Sequence, residues 1–183
     1  MDVMEESFQL GRYGAQLWTR EKARQIRDDL TKKLEALSPG DVLTINAKGV
    51  EVFDYSFANE LFGKTLLTLP HEFPGRFLVI ENLTRYTREN LSKALEGMNL
   101  TMIEKTEKKL KLLGKVSAID EQTFLAITKL KKPITANELK EKLKINLNAA
   151  NERLSKLVTM GLARRQSSVS AAGREQYEYS VLT

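Results

Sequence analysis

Residues 135–161 read TANELKEKLKINLNAANERLSKLVTMG, and this stretch decides the fold of the last third of the chain. Thr135 stands where a helix cap is needed, and Glu138 follows at the spacing from which a glutamate reaches back to the cap's own N–H. A short helix, Ala136 to Leu143, follows from that signal. Asn146 caps a second helix running to Met160, with Ala150, Leu154, Leu157 and Val158 on one face. Gly161 stops it where a left-handed residue is favoured. Upstream, Ile119, Phe124, Ile127 and Leu130 mark a further helix that ends at Lys132-Pro133. Downstream, two strand-like runs, Leu162 to Val169 and Glu175 to Leu182, flank Ser170-Ala171-Ala172-Gly173. The order is helix, capped helix, capped helix, hairpin.

The pattern Thr135-x-x-Glu138-Leu139-x-x-x-Leu143-x-Ile145, then Leu154-x-x-Leu157-x-x-x-Gly161-Leu162-Ala163-Arg164, then Gly173 and Tyr177-x-Tyr179-x-Val181, resembles the winged helix-turn-helix domains of prokaryotic transcriptional regulators. It covers residues 117–183. The resemblance implies a third helix presented to a DNA major groove. Many winged helices dock proteins instead, so protein docking stands beside DNA binding as a reading. With the apolar face inward, the outward set of the third helix is Asn148, Asn151, Glu152 and Ser155. Asparagine bonds bidentately to adenine, and glutamate accepts from cytosine, although Glu152 repels phosphate unless it reads a base. Asn146 at the cap suits a phosphate at a helix N-terminus. Lys140 and Lys144 on the preceding segment, with Arg153 and Lys156 at the flanks, are further candidate phosphate contacts. The hairpin adds Arg164, Arg165 and Arg174, a candidate wing contact to backbone or minor groove.

Charge divides unevenly. Residues 1–103 hold 13 basic and 15 acidic side chains, and residues 104–183 hold 16 and 9, so the net +5 arises as −2 and +7. A basic half beside a slightly acidic one implies a division of labour, with the basic half meeting a polyanion. The alternative for Lys105, Lys108, Lys109 and Lys111 is a solvated edge. Cysteine is absent, which excludes disulfides, a thiolate nucleophile and a cysteine zinc site. No apolar run approaches the ~20 residues needed to cross a bilayer, and the N-terminus shows no signal-peptide pattern, so a cytoplasmic protein without membrane attachment is expected.

Residues 1–104 alternate strand and helix signals and are expected to form a first, layered α/β domain, making the whole a mixed α/β (α+β) chain. Candidate strands are Phe8 to Tyr13, Asp41 to Ala47, Arg76 to Glu81, about Thr101 to Glu104, and Lys111 to Val116. Candidate helices begin at Thr19, run from Asp54 to Leu69, and run from Thr87 to Met98, with a loop at Pro70 to Gly75. Residues 105–116 are either a final strand of this domain or a linker. The run Val42 to Val50, followed by Phe53-Asp54-Tyr55-Ser56-Phe57-Ala58-x-Glu60-Leu61, is similar to STAS-like domains, the fold of bacterial anti-sigma-factor antagonists. That resemblance covers roughly residues 8–105. It implies a helix whose start carries a phosphoacceptor for a partner kinase-like ATPase. Asp54 matches the acidic position and Ser56 the phosphoacceptor, while Tyr55 and Phe57 replace the family's first serine and glycine. The other reading is that Asp54 caps the helix and Ser56 occupies its first turn, with no switch.

An enzyme is not expected, and neither a cofactor nor a metal is. His71 is the only histidine and lies between two prolines, and no zinc-binding spacing or phosphate-cradling glycine motif occurs. Gly11-Arg12-Tyr13-Gly14 is too short for one. Asn82, Arg85 and Arg88 follow the central strand, where α/β sheets place ligands, but Thr87 as a cap with Glu89 in the first turn accounts for that segment as well. The sequence therefore leads to a DNA-binding regulator. In this reading the winged helix contacts DNA as a homodimer, and the STAS-like half dimerises or senses a partner. The alternative is a protein-interaction regulator of anti-sigma-antagonist type, switched at Ser56.

Overall fold

The computed structural model describes residues 5–130, 132–170 and 172–182. The chain divides into two compact units, Met1–Lys115 and Val116–Thr183.

In the first unit, strand β1 (Glu5–Gln9) leads through a 3-10 turn (Leu10–Tyr13) and a short β2 (Gln16–Leu17) into helix α1 (Arg20–Ala36). Then come β3 (Val42–Asn46), β4 (Val52–Phe53), α2 (Tyr55–Ala58), a wide π turn (Asn59–Gly63) and α3 (Lys64–Glu72). The unit ends with β5 (Phe77–Glu81), α4 (Arg85–Gly97), β6 (Thr101–Lys105) and β7 (Leu110–Gly114). Among the described residues the main sheet runs β1-β3-β5-β6-β7, parallel except for the antiparallel β7. Each parallel step moves the same way across the sheet, and right-handed crossovers then put every connecting helix on one face. Phe8, Leu43, Ile45, Leu78, Ile80 and Met102 point to that face. They pack with Ile26, Leu30 and Leu34 of α1, Phe57 and Leu61 of the second helix, and Leu91 and Leu95 of α4. Residues 105–116 thus include a strand of this sheet, β7, paired to β6.

Several expected boundaries move for identifiable reasons. The first strand is Glu5–Gln9, not Phe8 to Tyr13, because the chain turns at Leu10. Gly11 there lies so close to the Lys48 carbonyl oxygen that a Cβ would collide with it. The second helix does not stop at Leu69 but runs through an exposed Pro70 to Glu72, the proline removing one N–H from the bonding ladder. Helix α4 starts at Arg85 under a Thr84 cap, whose Oγ1 accepts from the Thr87 N–H at 3.2 Å and donates to the Glu51 carbonyl at 2.9 Å. Thr87, the expected cap, is buried in the first turn.

The π turn carries a fully buried carboxylate. Glu60 meets Arg24 Nε and Arg27 Nη1 at 3.2 Å each and Lys64 Nζ at 2.8 Å, which pins α1 to the second helix. Burial pushes this carboxyl up, but Lys64 and Arg24 outweigh it and hold it below its ordinary 4.5. A depressed folded value means that the stabilisation is present above that ordinary value and is lost as pH falls through the lower folded one. The three cations reach solvent, so removing the acid leaves them hydrated rather than stranded. Glu60→Ala is expected to cost about 1–3 kcal/mol at neutral pH. In urea titrations its deficit against the parent should shrink as the pH is lowered through the acid range; an equal deficit at every pH would show the loss to be one of packing.

The second unit is a winged helix. Helix α5 (Ala118–Thr128) is followed by β8 (Ile134–Thr135), α6 (Ala136–Leu143), α7 (Leu147–Thr159), β9 (Ala163–Val169) and β10 (Glu175–Val181). The strands pair antiparallel in the order β8-β10-β9. Phe124, Ile127, Ile134, Leu139, Leu154, Leu157 and Tyr179 are buried. The Thr135–Glu138 capping box forms in both directions, Asn146 accepts from the Ala149 N–H at 2.8 Å, and Gly161 takes φ +70°. Strand β8 was not apparent from the sequence, being only two residues long. Ala171 of the expected turn lies outside the described residues.

Candidate nucleic-acid interface

Spacing of 3.6 residues per turn sorts the polar side chains of α7 into two groups. Asn148, Asn151, Glu152 and Ser155 are exposed and form one stripe opposite buried Ala150, Leu154 and Leu157. Arg153 and Lys156 do not belong to that stripe. Arg153 Nη1 donates to Gln122 Oε1 of α5 at 3.1 Å, and Lys156 Nζ lies 2.7 Å from Asp120 Oδ2, also on α5. These two residues join the helices of the unit, and the outward stripe itself carries no cation.

Asp120 explains why Lys156 is held there. Its side chain is only 5% exposed and also accepts from Ser117, the cap of α5, whose Oγ donates at 2.6 Å. Burial pushes the carboxyl up, yet Lys156 and Ser117 bring it below its ordinary 3.8. An exposed ammonium thus compensates a carboxylate that folding has removed from water.

The cations near the start of α7 come instead from the preceding turn. Lys144 adopts a left-handed conformation (φ 53°) at the end of α6, two residues before the Asn146 cap, and is exposed. Lys142, also exposed, was overlooked in the sequence because nothing in its spacing separates it from an ordinary solvated lysine. Neither forms an ion pair among the described residues, whereas Lys140 is half-buried and lies 3.1 Å from Glu141. The exposed Asn146 leaves the first-turn N–H groups of α7 at the surface, where the helix dipole favours negative charge.

The wing arginines separate. Successive strand residues point to opposite faces. Arg165 shares the face of Ala163 and Tyr179, and Arg164 lies half-buried on the other. Beyond the core that face continues into solvent, where the Arg165 guanidinium stacks 4.7 Å from the Tyr177 ring centroid. Tyr177 is 53% and Val169 69% exposed, and Arg174 is exposed where β10 begins. The Arg165–Tyr177 pair was legible in principle, because the register counted back from the turn at Gly173 sets Arg165 diagonal to Tyr177. In the first unit, Asp54 Oδ1 accepts from the Phe57 N–H at 2.6 Å and caps α2, and Ser56 is half-buried in the first turn. Asn82 donates to Asn46, Arg85 pairs with Glu89, and Arg88 is bound to Glu104.

No protein-family model matches the chain, and no curated protein does. Among solved structures it is similar to the ST1889 protein of the thermoacidophilic archaeon Sulfolobus tokodaii, at 28% identity and a TM-score of 0.33, covering 38% of this chain and 64% of that one. A possible transcriptional regulator from Methanosarcina mazei Go1 is 14% identical, with a TM-score of 0.34 over 44% of this chain and 74% of that one. The Aeropyrum pernix ORC1 protein, solved in complex with DNA, is 10% identical, with a TM-score of 0.33 over 98% and 75%. Likenesses of this size do not establish a common fold. The chain spans 64% of the length of the Sulfolobus protein. Among the described residues no helix is long and apolar enough to cross a membrane.

Lys156→Ala strands the Asp120 carboxylate and is expected to lower the stability of the second unit by about 1–3 kcal/mol, with Lys156→Arg restoring most of it. Thermal melts of the two variants decide the point, and an unchanged midpoint in Lys156→Ala would return that residue to the set of free phosphate contacts. Asp120 has a depressed folded value, so its stabilisation is present above 3.8 and is lost as pH falls below it.

Proposed function

We propose that this protein is a DNA-binding regulatory protein whose winged helix contacts DNA through α7 and the wing. One observation carries the reading. The exposed face of α7 presents asparagine, glutamate and serine without cations, while cations stand at its start and on the wing. That division accords with the two tasks of DNA recognition, in which hydrogen-bonding side chains such as asparagine and glutamate read base edges and cations hold phosphates. In this reading Asn148, Asn151 and Glu152 face bases, and Lys142, Lys144, Arg165 and Arg174 face phosphates. Asn146 and the N-terminus of α7 take a further phosphate, and Tyr177 lends Arg165 a rigid support. Arg153 and Lys156 hold the helix in place.

The first unit, whose residues 42–61 resemble STAS-like domains, serves self-association or partner sensing. A homodimer fits operators that repeat with two-fold symmetry. No catalytic role and no cofactor are assigned, and the protein acts in the cytoplasm. The phospho-switch reading has less support, because Asp54 already supplies the cap and thereby accounts for the helix start.

Fluorescence anisotropy against promoter and mixed-sequence duplexes, across a salt series, tests this. Each phosphate contact contributes about 0.9 to the slope of log K against log salt. Arg165→Ala/Arg174→Ala should therefore flatten the slope by roughly 2 and weaken binding to all duplexes alike. Asn151→Ala should reduce the preference between duplexes by about 1–3 kcal/mol and leave the slope unchanged. Absence of binding at low salt would overturn the proposal.

A further inference from the structure

A second basic feature lies in the first unit, at the carboxyl ends of its parallel strands. There β5 and β6 end and the β6–β7 hairpin begins, around a cavity of about 360 Å³. Asn82, Arg88, Lys105, Lys108, Lys109 and Lys111 line it. Parallel sheets place ligands at this edge because the strand ends and the following helix N-terminus converge there, and α4 supplies that terminus here.

Part of the lining is already balanced, and part is not. The buried Glu104 carboxylate takes Arg88 Nε at 2.9 Å and Nη2 at 2.6 Å, and Nη2 also donates to the Leu83 carbonyl at 3.2 Å. Arg88 is therefore fixed in orientation, while its Nη1 has no hydrogen-bond partner among the described residues. Lys105 Nζ is taken by Glu5 at 2.6 Å. Lys108, Lys109 and Lys111 make no ion pair among the described residues, and against them stands the single carboxylate of Glu107. The hairpin that carries them is held by a Thr106 N–H to Lys109 carbonyl bond at 3.0 Å, a Thr106 Oγ1 to Lys109 carbonyl bond at 2.7 Å and a Lys109 N–H to Thr106 Oγ1 bond at 3.2 Å. Asn82, in the left-handed region at φ 59°, donates to Asn46 at 2.9 Å and ties the ends of β3 and β5 together. The result is a concave site with a surplus of positive charge.

We infer that this cavity binds a small phosphorylated molecule, with Lys108, Lys109 and Lys111 and the free Nη1 of Arg88 as donors to the phosphate. A volume near 360 Å³ falls at the small end of ligand pockets and admits a phosphate ester. The cations do not depend on the DNA reading, and the site stands or falls without it.

The test is an amide-resolved NMR titration of the full chain with inorganic pyrophosphate, then with a short DNA duplex. Pyrophosphate is expected to give saturable shifts at residues 82–83 and 104–111, at a Kd of about 1 mM or tighter. Lys109→Ala/Lys111→Ala, both on the exposed hairpin, should weaken that Kd about tenfold, and Lys140→Ala/Lys142→Ala in the second unit should leave it unchanged. Circular dichroism confirms that each variant stays folded. Three results would each overturn the inference: no saturable shift, equal shifts around the lysines of both units, or shifts of residues 104–111 with the duplex but not with pyrophosphate. The last would assign the hairpin to the DNA backbone, and the second would reduce it to a solvated lysine edge.

Discussion

Right-handed crossover of parallel strands is the constraint on which most of the first unit depends. Strands β1, β3, β5 and β6 follow one another across the sheet in chain order. With every crossover of the same hand, α1, the α2–α3 helix and α4 have only one face to cover, and the apolar side chains of alternate strand positions meet them there. Because these strands are parallel, the carboxyl ends of β3, β5 and β6 lie at one edge. Asn46, Asn82 and Lys105 therefore become neighbours of that edge despite their separation in the chain, and the lysine hairpin joins them because β7 must turn back from it. Fold and cavity are two results of one topological rule.

Charge inside both units is organised around buried acids. Glu60, Glu104 and Asp120 are each nearly inaccessible, and each is met by cations that still reach solvent. The net stability such pairs add is modest, since the desolvation of the acid offsets part of the attraction. Their effect is positional. Glu60 sets α1 against the second helix, Glu104 orients Arg88 at the cavity, and Asp120 fixes α7 to α5. In the last case the pairing ties Lys156 to α5, and the outward stripe of α7 carries no cation.

Much of the second unit was legible in the sequence because its signals are local. The Thr135–Glu138 box, the Asn146 cap and Gly161 each act over three or four residues, and each forms as read. The buried face of α7 followed from periodicity alone. In the first unit the central apolar strands, the helix start at Thr19 and the Asp54 cap were equally plain. What failed was context-dependent. The loop expected from Pro70 begins later, because α3 continues through that proline to Glu72. Thr87 was read as a cap, but Thr84 takes that role because Glu51 accepts its hydroxyl from a distant loop.

The candidate interface divides in the same way. Sequence alone determined that the last third is basic, where α6 and α7 start and stop, and which face of α7 is polar, because caps and periodicity are written into neighbouring residues. The end of α5, expected at Lys132-Pro133, comes earlier, at Thr128. Only the tertiary structure decided which cations remain available. Arg153 and Lys156 are drawn to Gln122 and Asp120 some thirty residues away. Adjacent Arg164 and Arg165 are sent to opposite faces by strand alternation, and Arg165 meets Tyr177 across the hairpin. A charge is written in the sequence, but its partner is set by the approach of segments that the sequence keeps apart.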